Sequence, residues 1–128
     1  METDVADPRR IHREALTFAL GLPGAYEDHP WDEVVAKVNK KVFVFFGTED
    51  TRKGRVCVGV KLPSSSATAL AQPGVELMGY AMGKAGWVWA RFPPRDSPPV
   101  ELLCEWIDES YRTVAPKKLV KEWDAANA

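Results

Sequence analysis

The sequence predicts an α+β fold, an antiparallel β-sheet with helices packed on one face, in the order α-β-β-β-α-β-β-α and a last short helix. Two observations predict this class. Apolar residues recur at helical spacing near both ends of the chain, whereas the middle carries short alternating or continuously apolar runs. Short turns between these runs favour antiparallel pairing, and the helices then cover one side of the sheet. We expect one domain over residues 1–128.

The first predicted helix covers about residues 8–20. Asp7 followed by Pro8 is typical of an N-cap and a first helical position. Gly21 ends the helix. The next stretch, residues 25–33, is predicted as a loop or an irregular edge segment.

Three β-patterned runs follow, at Val34–Val38, Val42–Phe46 and Arg55–Leu62. The letters "NKK" predict a tight turn between the first two, and residues 47–54 predict a hairpin with a long solvated tip. Alternation places the valines of the third run in the core. By the same rule the other face of the sheet receives Lys41, Phe43 and Phe45 from the second run, with Arg55, Cys57, Gly59 and Lys61 from the third.

The C-terminal half predicts a short helix, two strands and two helices. Ser64–Ser66 are expected to cap the short helix, which ends before Pro73. The strands "ELMGYAM" and "GWVWARF" are predicted to flank a tight turn, "GKAG". A long helix is predicted from Ser97-Pro98 to Pro116, and a shorter one over 117–125, with Leu119, Val120 and Trp123 docking it.

The composition is ordinary for a soluble globular protein, with 45% hydrophobic and 27% charged residues and a net charge of −1. That balance argues against a strong, non-specific nucleic-acid binder. The N-terminus has no apolar signal region, and no run approaches the roughly 20 apolar residues that cross a bilayer. We therefore expect a cytoplasmic protein that does not associate with membranes. The oligomeric state stays open, with a monomer as one possibility.

Positive charge is concentrated between Lys37 and Lys61. This segment contains seven basic residues and two acidic ones, Glu49 and Asp50. One hypothesis is that these side chains contact the phosphates of DNA, which positions a protein without reading bases. The alternative is a solvated hairpin whose lysines deter edge-to-edge aggregation. The candidate cations of this segment are Lys40, Lys41, Arg52, Lys53, Arg55 and Lys61.

Aromatic residues accompany cations on the predicted outer face of the sheet. Phe43, Phe45, Trp87 and Trp89 share that face with Arg91, and such a platform holds bases at about 1–3 kcal/mol each. It would equally suit a protein partner or a small ligand. The alternative is that the aromatics pack across strands and cover Gly59, or that residues 117–128 fold over them. Large aromatics are more often buried than exposed.

Catalytic and metal sites are poorly supported by the sequence. Cys57 and Cys104 lie in predicted regular elements, without the spacing of metal ligands, and both are expected to be reduced thiols. Adjacent residues such as Glu27, Asp28 and His29 rarely converge on one ion. No glycine-rich phosphate loop is present. We expect no enzyme, no metal and no cofactor.

An ordered series of motifs runs through the chain. It consists of "YEDHPW" (26–31), "KVNKKVFVFF" (37–46), "VKLP" (60–63), "PG" (73–74), "GY" (79–80), "GWVWARF" (86–92) and "WIDESYRTV" (106–114). On these motifs the sequence resembles the MmcQ/YjbR family over about residues 10–120. The resemblance implies a frataxin-like (CyaY-like) fold.

The resemblance also implies DNA binding by two β-hairpins in a double-wing arrangement, with no reaction attributed. The first wing would be Gly47–Arg55 and the second Gly83–Trp87, with Lys84 at its tip. Frataxins themselves bind iron through an acidic first helix. Iron binding does not carry over here, because the first helix carries Arg9, Arg10 and Arg13 against Glu14.

Overall fold

The computed structural model describes residues 8–30, 33–47, 53, 55–92 and 99–127. Within these ranges a six-stranded antiparallel sheet has the order β1-β2-β3-β4-β6-β5. The strands are β1 (Ala25–Asp28), β2 (Val34–Val38), β3 (Lys41–Phe46), β4 (Val56–Lys61), β5 (Val75–Leu77) and β6 (Trp87–Phe92). The helices are α1 (Pro8–Leu20), α2 (Ser66–Leu70), α3 (Tyr80–Lys84), α4 (Val100–Val114) and α5 (Lys117–Ala126).

The predicted fold class is confirmed. α1 and α4 pack against each other and against the middle of the sheet, and we call the side they cover the helix face. The alternation of β4 is as predicted, since Val56, Val58 and Val60 join Leu103 and Ile107 in the main core. α1 has its predicted bounds, and α4 ends before Pro116 as predicted. However, α4 begins at Val100, after an extended Pro99, and not at the predicted Ser97-Pro98; Asp7, Ser97 and Pro98 themselves lie outside the described residues.

Residues 25–28 form a regular edge strand, where the sequence predicted a loop or an irregular edge segment. β1 pairs with β2 along four residues, with Tyr26 opposite Lys37. A salt bridge between Asp28 and Lys37 (2.7 Å) reinforces the pairing. The strand is missed because its residues are half exposed and carry no apolar alternation.

The predicted turn between β2 and β3 is confirmed as a two-residue loop. Asn39 and Lys40 have φ of 51° and 67°, and Val38 pairs with Lys41 across them. Positive φ at both central positions is the type I′ geometry that matches the twist of a hairpin. Asparagine tolerates this conformation better than most residues, which explains its place at the first position.

A bulge in the β2–β3 pairing corrects the predicted facing of β3. The register shifts between Ala36 and Lys37, so strict alternation fails in the first half of β3. Phe43 is consequently fully buried on the helix face, with its ring 5.4 Å from that of Tyr111. Lys41 likewise shares the face of its partner Val38. The prediction that Phe43 and Lys41 lie on the outer face is therefore wrong.

The two strands of the second predicted hairpin pair with each other, but the predicted tight turn between them is not formed. β5 ends at Leu77, and residues 80–84 form helix α3 before β6 begins. Gly83 allows this helix to fold back on the chain, because a Cβ atom there would lie 2.2 Å from the carbonyl oxygen of Met78. Lys84 thus lies in the last turn of α3 and not at the tip of a wing. Of the first wing, residues 48–52 and 54 lie outside the described residues.

Two further expectations concern how the helices are held. The hydroxyl of Ser65, predicted as a helix cap, donates to the carboxylate of Glu109 on α4 (2.5 Å), and no side-chain cap bond forms at α2. α5 packs on the helix side, where the ring of Trp123 meets that of Phe18 at 6.2 Å. The C-terminal segment therefore does not cover the opposite face of the sheet.

Candidate binding surface

The predicted cations divide between the two ends of the sheet. Lys40 and Lys41 lie at the β2–β3 turn, and Lys61 ends β4 opposite the start of β6. Lys84 ends α3 just before that start. We call this group of four residues the lysine end.

The other predicted cations belong to the far end of the same strands. Arg55 precedes β4, Lys53 lies in the preceding hairpin, and Arg91 is near the end of β6. Arg52 lies outside the described residues. A six-residue strand such as β3 spans about 20 Å, and this length separates the two groups.

Within the described part of the chain, no carboxylate pairs with the charges of the lysine end. Lys40, Lys41 and Lys84 are exposed and Lys61 is half-buried, and none of the four forms a salt bridge with any residue in the described ranges. The carboxylate of Glu109 lies at the same end. It accepts hydrogen bonds from residues 64 and 65 at 2.5–3.1 Å, with no lysine involved.

At the far end, Arg91 is engaged within the protein. Its guanidinium donates to the carboxylate of Glu76 (2.9 Å) and lies 5.2 Å from the ring centroid of Trp89. Lys53 is exposed and Arg55 is half-buried. The far end therefore has fewer available charges among the described residues than the lysine end.

The aromatic residues form a second apolar layer on the outer face, the side of the sheet opposite the helices. The ring of Phe45 lies 5.4 Å from Trp87 and 5.8 Å from Trp89, and Trp87 is only 9% exposed. A Cβ atom on Gly59 would lie 2.6 Å from Met78 Cε and 2.8 Å from Trp89 Cζ3. The alternative interpretation is confirmed: these aromatics pack across strands and cover Gly59.

The candidate catalytic and metal-binding residues are occupied by local contacts. His29 Nε2 lies 2.5 Å from a carboxylate oxygen of Glu27, whereas Asp28 binds Lys37. Within the described ranges, no three His, Cys, Asp or Glu side chains are grouped to hold a metal ion. Burial raises the pKa of the Cys104 thiol, which disfavours the nucleophilic thiolate.

Sequence reasoning missed the use of His12 and Ser110. The N–H of Cys57 donates to His12 Nε2 (3.1 Å), so a buried ring from α1 binds the backbone of β4. Ser110 likewise binds the sheet from α4. One sequence feature could have indicated these two contacts, a polar residue next to the apolar stripe of a helix. His12 is next to Ile11, and Ser110 is next to Tyr111.

Comparison with known proteins identifies the family. The model of the YjbR family matches residues 20–113. The chain belongs to the YjbR family. The predicted resemblance is therefore confirmed.

A solved structure similar to this YjbR protein is the crystal structure of Deinococcus radiodurans protein DR2400, which carries the family-model domain DUF419. The two share 22% sequence identity with a TM-score of 0.63, over 97% of this chain and 92% of that chain. At this identity the likeness shows a common fold. A search of curated proteins found no match. None of the helices in the described ranges combines the length and apolar character needed to cross a membrane.

Proposed function

We propose that this YjbR-family protein is a non-catalytic DNA-binding protein that contacts phosphates through its lysine end. The observation that carries the proposal is the position of four lysines, free of salt bridges to described residues, at one end of the sheet, in the β2–β3 turn, β4 and α3. Phosphate contacts of this kind fix the position of a protein on a duplex without reading its sequence. The surface is therefore centred on the lysine end and not on the basic hairpin at the opposite end of the sheet.

The hairpin can act as a second contact on the same duplex. A distance of about 20 Å along a DNA axis carries roughly 12 phosphates, so a duplex lying along the strands reaches both ends of the sheet. Lys53, Arg52 and Arg55 would then supplement the lysine end. Arg91 contributes less, because Glu76 already pairs with it.

The expected affinity is low and depends on salt. Neutralising four phosphates gives a slope of about −3.6 for the logarithm of the association constant against that of salt concentration. Raising salt from 50 to 200 mM would then weaken binding roughly 150-fold. The net charge of −1 adds no long-range attraction.

Fluorescence anisotropy with labelled duplex and single-stranded DNA at low salt tests the proposal. The variant K41Q/K84Q should reduce the magnitude of the salt slope by about 1.8, the value for two lost phosphate contacts. The matched control K117Q/K118Q removes two exposed charges from α5 and should leave the slope unchanged. Equal effects of both variants, or no binding at about 100 μM protein, would count against the proposal.

A third variant measures the contribution of the hairpin. R52Q/K53Q/R55Q leaves the lysine end intact and removes the three positive charges at positions 52, 53 and 55. A smaller salt slope would mean that the hairpin also contacts DNA phosphates, whereas an unchanged slope would mean that it does not.

The second candidate is a protein or small-ligand module that uses the outer aromatic layer. It has one observation in its favour, the partial exposure of Phe45 and Trp89 beside Arg91. The burial of Trp87 favours a structural use of the same layer. Iodide quenching of tryptophan fluorescence discriminates between a binding role and a structural role of this layer. Protected, blue-shifted emission would exclude the aromatic platform.

A further inference from the structure

A groove on the outer side of the helices lies between α1, α4 and α5, away from the outer face of the sheet. It is open to solvent along one side and has a volume of about 620 Å³. Four half-buried residues form its apolar floor: Phe18, Val100, Cys104 and Trp123. Four carboxylates and one guanidinium form its rim: Glu14, Glu101, Glu105, Asp108 and Arg112.

Two of the rim carboxylates have no cationic partner in the described chain. Glu14 pairs with Arg10 (2.7 Å), and Asp108 pairs with Arg112 (2.9 Å). Glu101 and Glu105 form no salt bridge with a described residue, although they lie one turn apart on the same face of α4. Like charges at this spacing repel each other, so a cation between them would relieve the repulsion.

The guanidinium of Arg112, the positive group of the rim, already forms two salt bridges. Arg112 binds Asp108 and also Asp124 on α5 (2.6 Å), while the indole N–H of Trp123 donates to Asp108 (2.8 Å). These bonds tie α5 to α4 and bound the groove on the α5 side. The remaining charge of the groove is therefore negative above an apolar floor.

The carboxylates of the rim also act on the thiol of Cys104. Burial is the main cause that raises its pKa, and the carboxylates of Glu101 and Glu14 raise it further. A group on the floor thus experiences the charge of the rim. An anion entering the groove would meet the same repulsion.

We propose that this groove binds a small amphipathic organic cation. Its ammonium group lies between the carboxylates of Glu101 and Glu105, and its apolar body packs on Phe18 and Trp123. The volume falls within the range of about 300–1,000 Å³ that is typical of small-molecule sites. Aromatic floors favour such ligands, because ring faces attract cations and their methylene groups gain buried area. The site is separate from the lysine end, and its ligand has the opposite charge.

Alkylation of Cys104 provides a direct assay. Cys57 is 1% exposed, so a neutral reagent such as iodoacetamide should report on Cys104. The probes are 4-phenylbutylammonium, 4-phenylbutanol and 4-phenylbutanoate, which share one apolar body and differ in charge. At a concentration of ten times its dissociation constant, the ammonium compound should slow alkylation about elevenfold. The alcohol should bind about tenfold more weakly, and the carboxylate should not protect.

Two double variants decide whether the carboxylates select the ligand. E101Q/E105Q should abolish the preference for the ammonium over the alcohol while retaining protection by the alcohol. The matched control E33Q/E122Q removes two exposed acids outside the groove and should retain the preference. Rates are compared with and without probe for each variant, because the substitutions also change the reactivity of the thiol.

The NMR shift of the Trp123 indole N–H gives a second measurement of binding. Four results overturn the proposal: no protection and no shift with the ammonium compound, equal protection by ammonium and alcohol, a preference that survives E101Q/E105Q, or protection by a basic amphipathic peptide where the ammonium compound gives none. The last result would assign the groove to a helical partner.

Discussion

Replacing Ser110 with alanine should destabilise the protein by about 2 kcal/mol, because its buried hydroxyl bonds to the backbones of both β3 and β4. β3 and β4 pair regularly from Val44–Val60 to Phe46–Val58. Beyond the Val44–Val60 pair, the hydroxyl of Ser110 replaces the direct backbone hydrogen bonds between the two strands. It accepts from the N–H of Lys61 (2.9 Å) and donates to the carbonyl of Phe43 (2.6 Å), and the residue is fully buried.

The magnitude follows from these two bonds. Each contributes about 0.5–1.5 kcal/mol net, and a buried carbonyl or N–H left without a partner costs about 1–3 kcal/mol. Alanine recovers about 0.5 kcal/mol through its higher helix propensity. The N–H of Lys61 is only partly buried and water can replace part of its bond. A loss of about 2 kcal/mol corresponds to a fall of about 7 °C in Tm for a chain of 128 residues.

Urea denaturation followed by tryptophan fluorescence measures this loss. The control is T113A on the same helix, because the exposed hydroxyl of Thr113 donates to the carbonyl of Glu109 and its removal should cost less than about 0.5 kcal/mol. Equal stabilities of S110A and T113A would refute the reasoning. They would mean that the strands close or hydrate without the hydroxyl.

Two further predictions use contacts of the outer face and of α5. G59A should lower the free energy of unfolding by about 1–3 kcal/mol, because the new methyl group would overlap the ring of Trp89. The control G79A has open space around the new methyl group and should change the free energy of unfolding by no more than about 0.5 kcal/mol. Chemical denaturation measures both. The hydrogen bond from Arg112 holds the pKa of Asp124 below its ordinary value of 3.8, so its contribution to docking α5 is present above pH 3.8 and is lost as pH falls through the lowered pKa. D124N should reduce this acid-dependent change in an NMR titration of the indole signals, and an unchanged titration would contradict the assignment.

Local pattern determined most of the secondary structure of this protein. Helical spacing of apolar residues predicted α1 and α4, and strict alternation predicted both β4 and the side of β4 that enters the core. The two-residue turn at Asn39 and Lys40 was also visible, because asparagine favours positive φ and the flanking runs are apolar. These features depend on neighbours within a few residues, and a sequence displays such neighbours directly.

Only the tertiary structure decided which residues share a surface. The bulge at Phe43 depends on pairing with β2, and α3 replaces the predicted tight turn between β5 and β6 because Gly83 lets the chain approach the carbonyl of Met78. The cations between Lys37 and Lys61 are close in sequence, yet the length of β3 separates them into two groups. Glu101 and Glu105 meet Phe18 and Trp123 only because three helices converge. Charge and alternation are local properties of the sequence. An interaction surface instead depends on strand register and helix packing, and both of these are determined by contacts between residues that are distant in sequence.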